Sequence, residues 1–355
     1  MTTTTDQDVR NELTSDILVL GEDAQDVITY SYTAPFTLSR MCRNHCPYCS
    51  FRKQDGLAVP YSTIRQAKKC RTLGAREALY VVGERPDKFP HIRSILDLWG
   101  FSSYLDYVYT VCELGFLEGL VPTLEAGFLS PTEMSRLSEV CAMFRIMLDA
   151  VDDTTFNTLY AKSPGKKLEL RLKLLEWAGR LKIPTETGII VGVGGSKTHF
   201  KHVFQEISKI HEAYGTIHTV HLQNFTPEPH TPMAKKSPPS KKEMLDMFEL
   251  AKSILPSDIS LTIPVELNPN LEDFIHAGLR DLGRIYEGKQ PHYKVASLEI
   301  ADLETRLAAI GFHLQQRFPL KKSFIKNGLY SKKLGQAFDS YRYKIKKDGQ
   351  ESKTK

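Results

Sequence analysis

Short apolar runs of strand length alternate with helix-periodic segments from Val27 to Ile263, and this alternation narrows the possible folds more than any other feature of the chain. Val27–Ser39 is β-branched and aromatic and reads as a strand. Further strands are expected at Ala78–Val82, at Leu117–Thr123, at Phe144–Leu148, at Thr187–Gly192, at Thr219–Phe225 and, as the last, at Ile259–Ile263. Between them, helical spacing or capping signals predict helices at Thr63–Leu73, from the N-cap Ser130 through Pro131 and Glu133, and at Leu168–Leu181, Phe200–Tyr214 and Lys241–Ile254. Six or seven strand–helix units imply a parallel sheet covered by helices: an α/β chain forming a full or partial TIM-type barrel as a single catalytic domain. In such a barrel the chemistry sits at the C-terminal ends of the strands. Residues 1–26 read as a polar N-terminal arm, 27–320 as the barrel domain and 321–355 as a basic C-terminal tail. The Pro- and Lys-rich stretch from Thr226 to Ser240 is expected to be an exposed loop.

Composition excludes several function classes. With 41% hydrophobic and 25% charged residues the chain is globular rather than disordered. No apolar run approaches the roughly 18 residues of a membrane span, and the start Met1–Asp6 lacks the basic and apolar regions of a secretory signal. A cytoplasmic protein without a membrane partner is expected. The net charge of +5 owes part of its excess to Lys321, Lys322, Lys344, Lys346, Lys347, Lys353 and Lys355. A run of charge at a chain end is most often a solvated tail, so nucleic acid is not an expected partner. In a reducing compartment the six cysteines do not suggest disulfides.

Three of those six fall within eight consecutive residues, Cys42-Arg43-Asn44-His45-Cys46-Pro47-Tyr48-Cys49, directly after the first strand. A four-iron cluster normally takes four thiolates. Three thiolates with no fourth nearby leave one iron open to an outside ligand, and the amino and carboxylate groups of S-adenosylmethionine (SAM) suit it. Cys42, Cys46 and Cys49 are therefore the expected metal ligands and catalytic centre. Two other readings stand beside this one: a Cys₃His zinc site completed by His45, and buried reduced thiols. Cys70, Cys112 and Cys141 have no partner spacing and read as small buried residues.

The cysteine loop, followed by Phe51-Arg52, resembles the radical SAM synthases of the deazaflavin cofactor pathway, in particular the ring-closing subunits of 7,8-didemethyl-8-hydroxy-5-deazariboflavin synthase. Further matching stretches follow in order: Glu77–Pro86, Arg171–Pro184, Thr187–Gly194 and Gln223-Asn224-Phe225. The resemblance implies a radical SAM barrel and a 4Fe–4S cluster that cleaves SAM reductively to a 5′-deoxyadenosyl radical. It also implies a lyase-type ring closure, with carbon–carbon bond formation and loss of ammonia, from a tyrosine–ribitylaminouracil adduct. A reductant such as ferredoxin or flavodoxin is implied, and a partner radical SAM synthase that makes the adduct.

The resemblance also places cofactor contacts. Gly83, ending the second strand, lets the SAM methionyl group approach the backbone, and Tyr48 lies near the adenine. Gly192 belongs to the glycine-rich turn Gly188–Gly195, which resembles the turn bordering adenine. Glu84 offers an acceptor for an ammonium or forms an ion pair. Glu125 and Asp149 end strands and suit ribose hydroxyls or substrate, or cap the next helix. Arg171 pairs with the SAM carboxylate, with Glu176 or with Asp149. Gln223 and Asn224 carry amides that suit a uracil or flavin-like edge, or tie down the following loop. His221 is a candidate proton shuttle or a structural histidine.

The chain departs from the family's Gly-x-Asp-Asp stretch at Gly278-Leu279-Arg280-Asp281-Leu282-Gly283-Arg284. Arg280 and Asp281 are carried as candidate substrate residues. Arginines at 280 and 284 would greet a carboxylate or phosphate, so a paralogous radical SAM enzyme acting on an acidic substrate is an alternative. A non-catalytic metal-binding protein is a further one.

Overall fold

A computed structural model describes residues 26–149, 151–288 and 299–335. Nine strands form one parallel sheet: β1 Val27–Ser39, β2 Glu77–Val82, β3 Val121–Glu125, β4 Met143–Asp149, β5 Thr185–Val191, β6 Ile217–Asn224, β7 Ser260–Thr262, β8 Asp281–Tyr286 and β9 His313–Gln316. Their order is β7-β6-β5-β4-β3-β2-β1-β8, with β9 pairing the first residues of β1. The end strands β7 and β8 touch without a hydrogen-bonded ladder among the described residues, so eight strands make a nearly closed barrel. The expected α/β barrel is the observed fold.

Outward-facing residues of the strands, such as Ala78, Tyr80 and Val82 on β2 and Phe144, Ile146 and Leu148 on β4, pack under the helices in one continuous core. Helix ends follow local chemistry. Ser130 and Glu133 form a reciprocal capping box ahead of the helix Pro131–Leu137, and Ser240 and Glu243 form another ahead of Lys241–Lys252.

The interior departs from the usual filling of branched apolar residues. Ser31, Thr33 and Thr123 all donate to the Glu77 carboxylate, at 2.6, 3.0 and 2.6 Å. Arg284 of β8 pairs with Glu77 of β2 at 2.7 Å and also with Glu186 of β5. Arg145 of β4 joins Glu186 and Glu125, each at 2.6 Å. Arg145 ties together the neighbouring strands β3, β4 and β5, while Arg284 reaches across the barrel to β2 and β5, neither of which adjoins β8.

This interior explains where the sequence reading erred. Ile259–Ile263 was expected to be the last strand, but β8 closes the barrel. Its inward Arg284 and the kink at Gly283 (φ 73°) break the apolar pattern, while Leu282 and Ile285 pack outward. Leu117 ends the helix Tyr104–Leu117 and belongs to no strand.

The basic tail was expected from residue 321, yet Phe324, Ile325, Leu329 and Leu334 are buried against Phe116, Val121 and Ala142 at the N-terminal end of the strands. Lys321 donates from its backbone to His218 Nε2 at 3.2 Å, and Phe324 stacks on the His218 ring. Packed chain therefore continues through Leu334. Residues 1–25 of the expected arm, and the lysines at 344, 346, 347, 353 and 355, lie outside the described residues. Among the described residues no helix is long and apolar enough to cross a membrane.

Candidate active site

The ends of β1 to β6 and the loops after them enclose a cleft of about 1120 Å³ counted to its open mouth. Cys42, Cys46 and Cys49 all line it.

The cysteine loop is held by its own backbone and its neighbours. Cys49 N–H donates to Cys46 O at 3.1 Å, His45 N–H to Lys162 O at 3.1 Å, and Arg52 Nε to Cys42 O at 3.0 Å. The Asn44 side chain accepts from Gly165 N–H at 3.1 Å. Gly83 is required by this loop: a Cβ there would stand 2.1 Å from the Met41 carbonyl oxygen and 2.9 Å from Cys42 Cβ. The missing side chain makes room for the chain's own cysteine loop, which is a different reason from the ligand approach expected from the sequence.

The thiols suit an iron–sulfur cluster. The backbone N–H of Glu84 points at Cys42 Sγ at 3.3 Å, the kind of donor that tunes cluster sulfurs. Burial pushes the Cys46 thiol up to about 12 and raises that of Cys49, so a metal must displace protons to bind. Among the described residues no three His, Cys, Asp or Glu side chains converge as a single-ion site. The His45 ring is exposed and does not line the cleft, so the Cys₃His set does not assemble. Cys70, Cys112 and Cys141 are buried, as expected.

Around the thiols stand paired charges. Glu84 accepts from Arg43 Nε at 2.7 Å, Arg171 Nη2 at 3.0 Å and the Phe128 N–H at 3.1 Å. Burial alone would raise this carboxyl, but Arg171 and Arg43 outweigh it and hold it below the usual range. Its acceptors are therefore committed to arginines, which is the ion-paired reading. Arg171 takes neither Glu176 nor Asp149. Its Nε is a buried donor with no partner among the described residues, beside a cleft that it lines.

Asp149 ends β4 in the left-handed region (φ 59°). Its carboxylate accepts from Tyr48 Oη at 2.7 Å and Lys166 Nζ at 3.0 Å. A non-glycine residue held there stores strain of the kind found at functional sites. Tyr48 also packs with Tyr160, Phe225 and Met233 as an apolar bay. Glu125 lines the cleft, paired with Arg145.

Of the other candidates, Gln223 and Asn224 line the cleft while Gly192 and His221 do not. Gly192 (φ 100°) does not line the cleft but backs onto Pro239 and Phe225. Asn224 exchanges amide bonds with Asn268 at 3.2 and 2.9 Å, so its side chain braces the loop. Gln223 lines the cleft, with its Oε1 3.2 Å from His221 Nε2. His221 faces a smaller inner chamber with Thr262 and Arg284, and burial, then Arg145, lowers it to about 4.

Arg280 and Asp281, expected to meet substrate, do not line the cleft. They sit at the opposite, N-terminal end of β8. Arg280 donates to Ile275 O and Leu279 O and lies over the Phe312 ring, while Asp281 pairs with Arg317 at 2.9 Å. A residue opening a parallel strand cannot reach the end where the cleft lies.

Three charged cleft residues carry no motif in the sequence, Arg145, Lys166 and Glu228, and neither does Arg43, which pairs with Glu84 beside the cleft. Arg145 had a signal, a charge inside the buried run Phe144–Leu148. Lys166 and Glu228 come from turns with none.

No protein-family model matches the chain. A 7,8-didemethyl-8-hydroxy-5-deazariboflavin synthase of Archaeoglobus fulgidus is 34% identical over 318 residues, covering 89% of this chain and 97% of the relative. One of Methanothermobacter thermautotrophicus is 34% identical over 305 residues, covering 84% and 93%. Among solved structures, the FeFe-hydrogenase maturase HydG from Carboxydothermus hydrogenoformans has a similar fold, with TM-score 0.65 at 16% identity over 98% of this chain and 84% of that one. Methylornithine synthase (PylB) does so with TM-score 0.61 at 14% identity over 92% and 93%.

Proposed function

Because the chain belongs to the 7,8-didemethyl-8-hydroxy-5-deazariboflavin synthase family of radical SAM enzymes, we propose that it closes the deazaflavin ring of a tyrosine–ribitylaminouracil adduct, forming a carbon–carbon bond with loss of ammonia. The observation that carries this reading is the gathering of Cys42, Cys46 and Cys49 on one cleft at the C-terminal ends of the barrel strands.

The three thiolates would hold a 4Fe–4S cluster with one iron open to SAM. When bound, the pair supplies the 5′-deoxyadenosyl radical that takes hydrogen from an unactivated C–H bond. The chain's residues orient and enclose. The free Nε of Arg171, held in place by Glu84, suits a carboxylate of the cofactor. Asp149, fixed by Tyr48 and Lys166, suits ribose hydroxyls, and the bay around Tyr48 suits a flat base. A reductant such as ferredoxin or flavodoxin would deliver the electron, and a partner radical SAM synthase the adduct. The acidic-substrate alternative loses its support, since Arg280 is remote from the cleft and Arg284 is committed to Glu77 and Glu186.

Anaerobic reconstitution tests the reading. About four irons and four sulfides per chain are expected, with 5′-deoxyadenosine released under reduction and deazaflavin fluorescence from the supplied adduct. Abundant 5′-deoxyadenosine without fluorescence points to another substrate. Stable zinc with no SAM cleavage overturns the catalytic reading altogether.

A further inference from the structure

Four carboxylates line the cleft: Glu84, Glu125, Asp149 and Glu228. Three are each joined to a cation lining the same cleft, Glu84 to Arg171 at 3.0 Å, Asp149 to Lys166 at 3.0 Å and Glu125 to Arg145 at 2.6 Å. Glu228 breaks the pattern. The residue is 7% exposed, yet its carboxylate makes no hydrogen bond or ion pair with any described residue.

The segment presenting it is well fixed. Glu228 lies between Pro227 and Pro229, whose rings restrict the backbone on both sides. Its carbonyl accepts from Thr231 N–H at 3.3 Å and Thr231 Oγ1 at 2.8 Å. Met233 N–H donates to Pro47 O at 3.1 Å, and the Met233 side chain packs with Cys46 and Tyr48. The loop expected to be exposed therefore folds back over the cysteine loop for its first half and brings a carboxylate with it.

The Glu228 oxygens are not sealed into the core but open to the cleft that the residue lines, where a ligand can meet them. With the other three acids paired, Glu228 is the cleft carboxylate left without a cation among the described residues. We propose that Glu228 is a substrate-binding residue whose carboxylate takes a protonated amine of the substrate. The inference rests on the ring-closing reading, in which the substrate carries the amino nitrogen that departs as ammonia. It inverts the electrostatic expectation from the sequence: the unpaired charge facing the substrate is negative.

The test uses the reconstituted holoenzyme, with Glu228→Gln, which keeps shape and removes charge, and Glu228→Ala. Iron content and melting temperature report whether each variant is folded. For E228Q the KM of the adduct should rise roughly ten- to hundred-fold, the range expected for loss of a hydrogen bond to a charged group, and more than kcat falls. Calorimetric Kd should rise in parallel, while an adduct lacking the amino group should bind wild type and E228Q alike. A KM and Kd within twofold of wild type would overturn the assignment, as would equal weakening of the amino-free analogue. If wild type forms no deazaflavin but binds the amine-bearing adduct in a Glu228-dependent way, the ring-closing reading fails and the site stands. If wild type does not bind the adduct, both fall.

Discussion

Replacing Arg284 by Met removes the cation that bridges two carboxylates inside the barrel. Arg284, Glu77 and Glu186 have side chains that are 7%, 1% and 6% exposed, so solvent cannot take over the role. Burial alone would raise Glu186, but Arg284 and Arg145 bring it down to about 2. Against an ordinary glutamate that is worth on the order of 3 kcal/mol. In the variant Glu186 keeps Arg145, whereas Glu77 keeps the hydroxyls of Ser31, Thr33 and Thr123 without its cation. Breaking a buried pair from one side costs about 3–5 kcal/mol, which at this size lowers the melting temperature by on the order of 10 °C.

The pH dependence has a definite sign. In wild type both carboxyls lie below their ordinary value. Their contribution is complete above about pH 5 and is lost as the pH falls toward 2. In Arg284→Met, burial without a cation raises Glu77, so the deficit against wild type is largest at neutral pH and shrinks on acidification. The assay is thermal melting of anaerobic protein at pH 7 and 5, with Glu77→Gln added to Arg284→Met as a second variant. That double variant should melt above the single one, because the unpaired charge is gone. A melting point within about 2 °C of wild type at pH 7, or a deficit that does not change with pH, would refute the reasoning.

Two further perturbations probe the cleft. Gly83→Ala places a Cβ 2.1 Å from the Met41 carbonyl, so the cysteine loop must move. Iron incorporation should fall severely while far-ultraviolet circular dichroism stays native, and normal iron loading would contradict the packing argument. Tyr48→Phe removes the 2.7 Å donor to the buried Asp149 carboxylate. A loss of about 1.5–3 kcal/mol is expected from the missing charge-assisted bond, read by denaturant titration of the cluster-free protein, together with weaker SAM binding by equilibrium dialysis. An unchanged midpoint and SAM affinity would show that Lys166 alone fixes Asp149.

How far the sequence could be read depended on how local each signal was. The extent of β1 was legible residue for residue, because Ile28-Thr29-Tyr30-Ser31-Tyr32-Thr33 carries its propensity within itself. The Ser130 cap was legible because its partner Glu133 is three residues away. The cysteine triplet was legible because its three residues fall within one short contiguous loop. β8 was missed because an inward Arg284 and a kinked Gly283 look like a loop until Glu77 and Glu186 are known to face them. Arg280 was misplaced because its chemistry suits an anion, while its position at the start of a parallel strand puts it at the wrong end of the barrel.

By itself, then, the sequence determined the α/β alternation, the barrel it closes into and the cysteine loop after its first strand, all of them encoded in short-range patterns. Tertiary structure decided the charges. It decided that Glu84 serves Arg171 and Arg43, that Arg145 links adjacent strands while Arg284 binds across the barrel, that Gly83 yields to Met41, and that Glu228 meets the cleft without a cation among the described residues. Those outcomes depend on which side chains the strand register brings face to face, and electrostatic pairing between residues distant in sequence leaves no trace in local pattern.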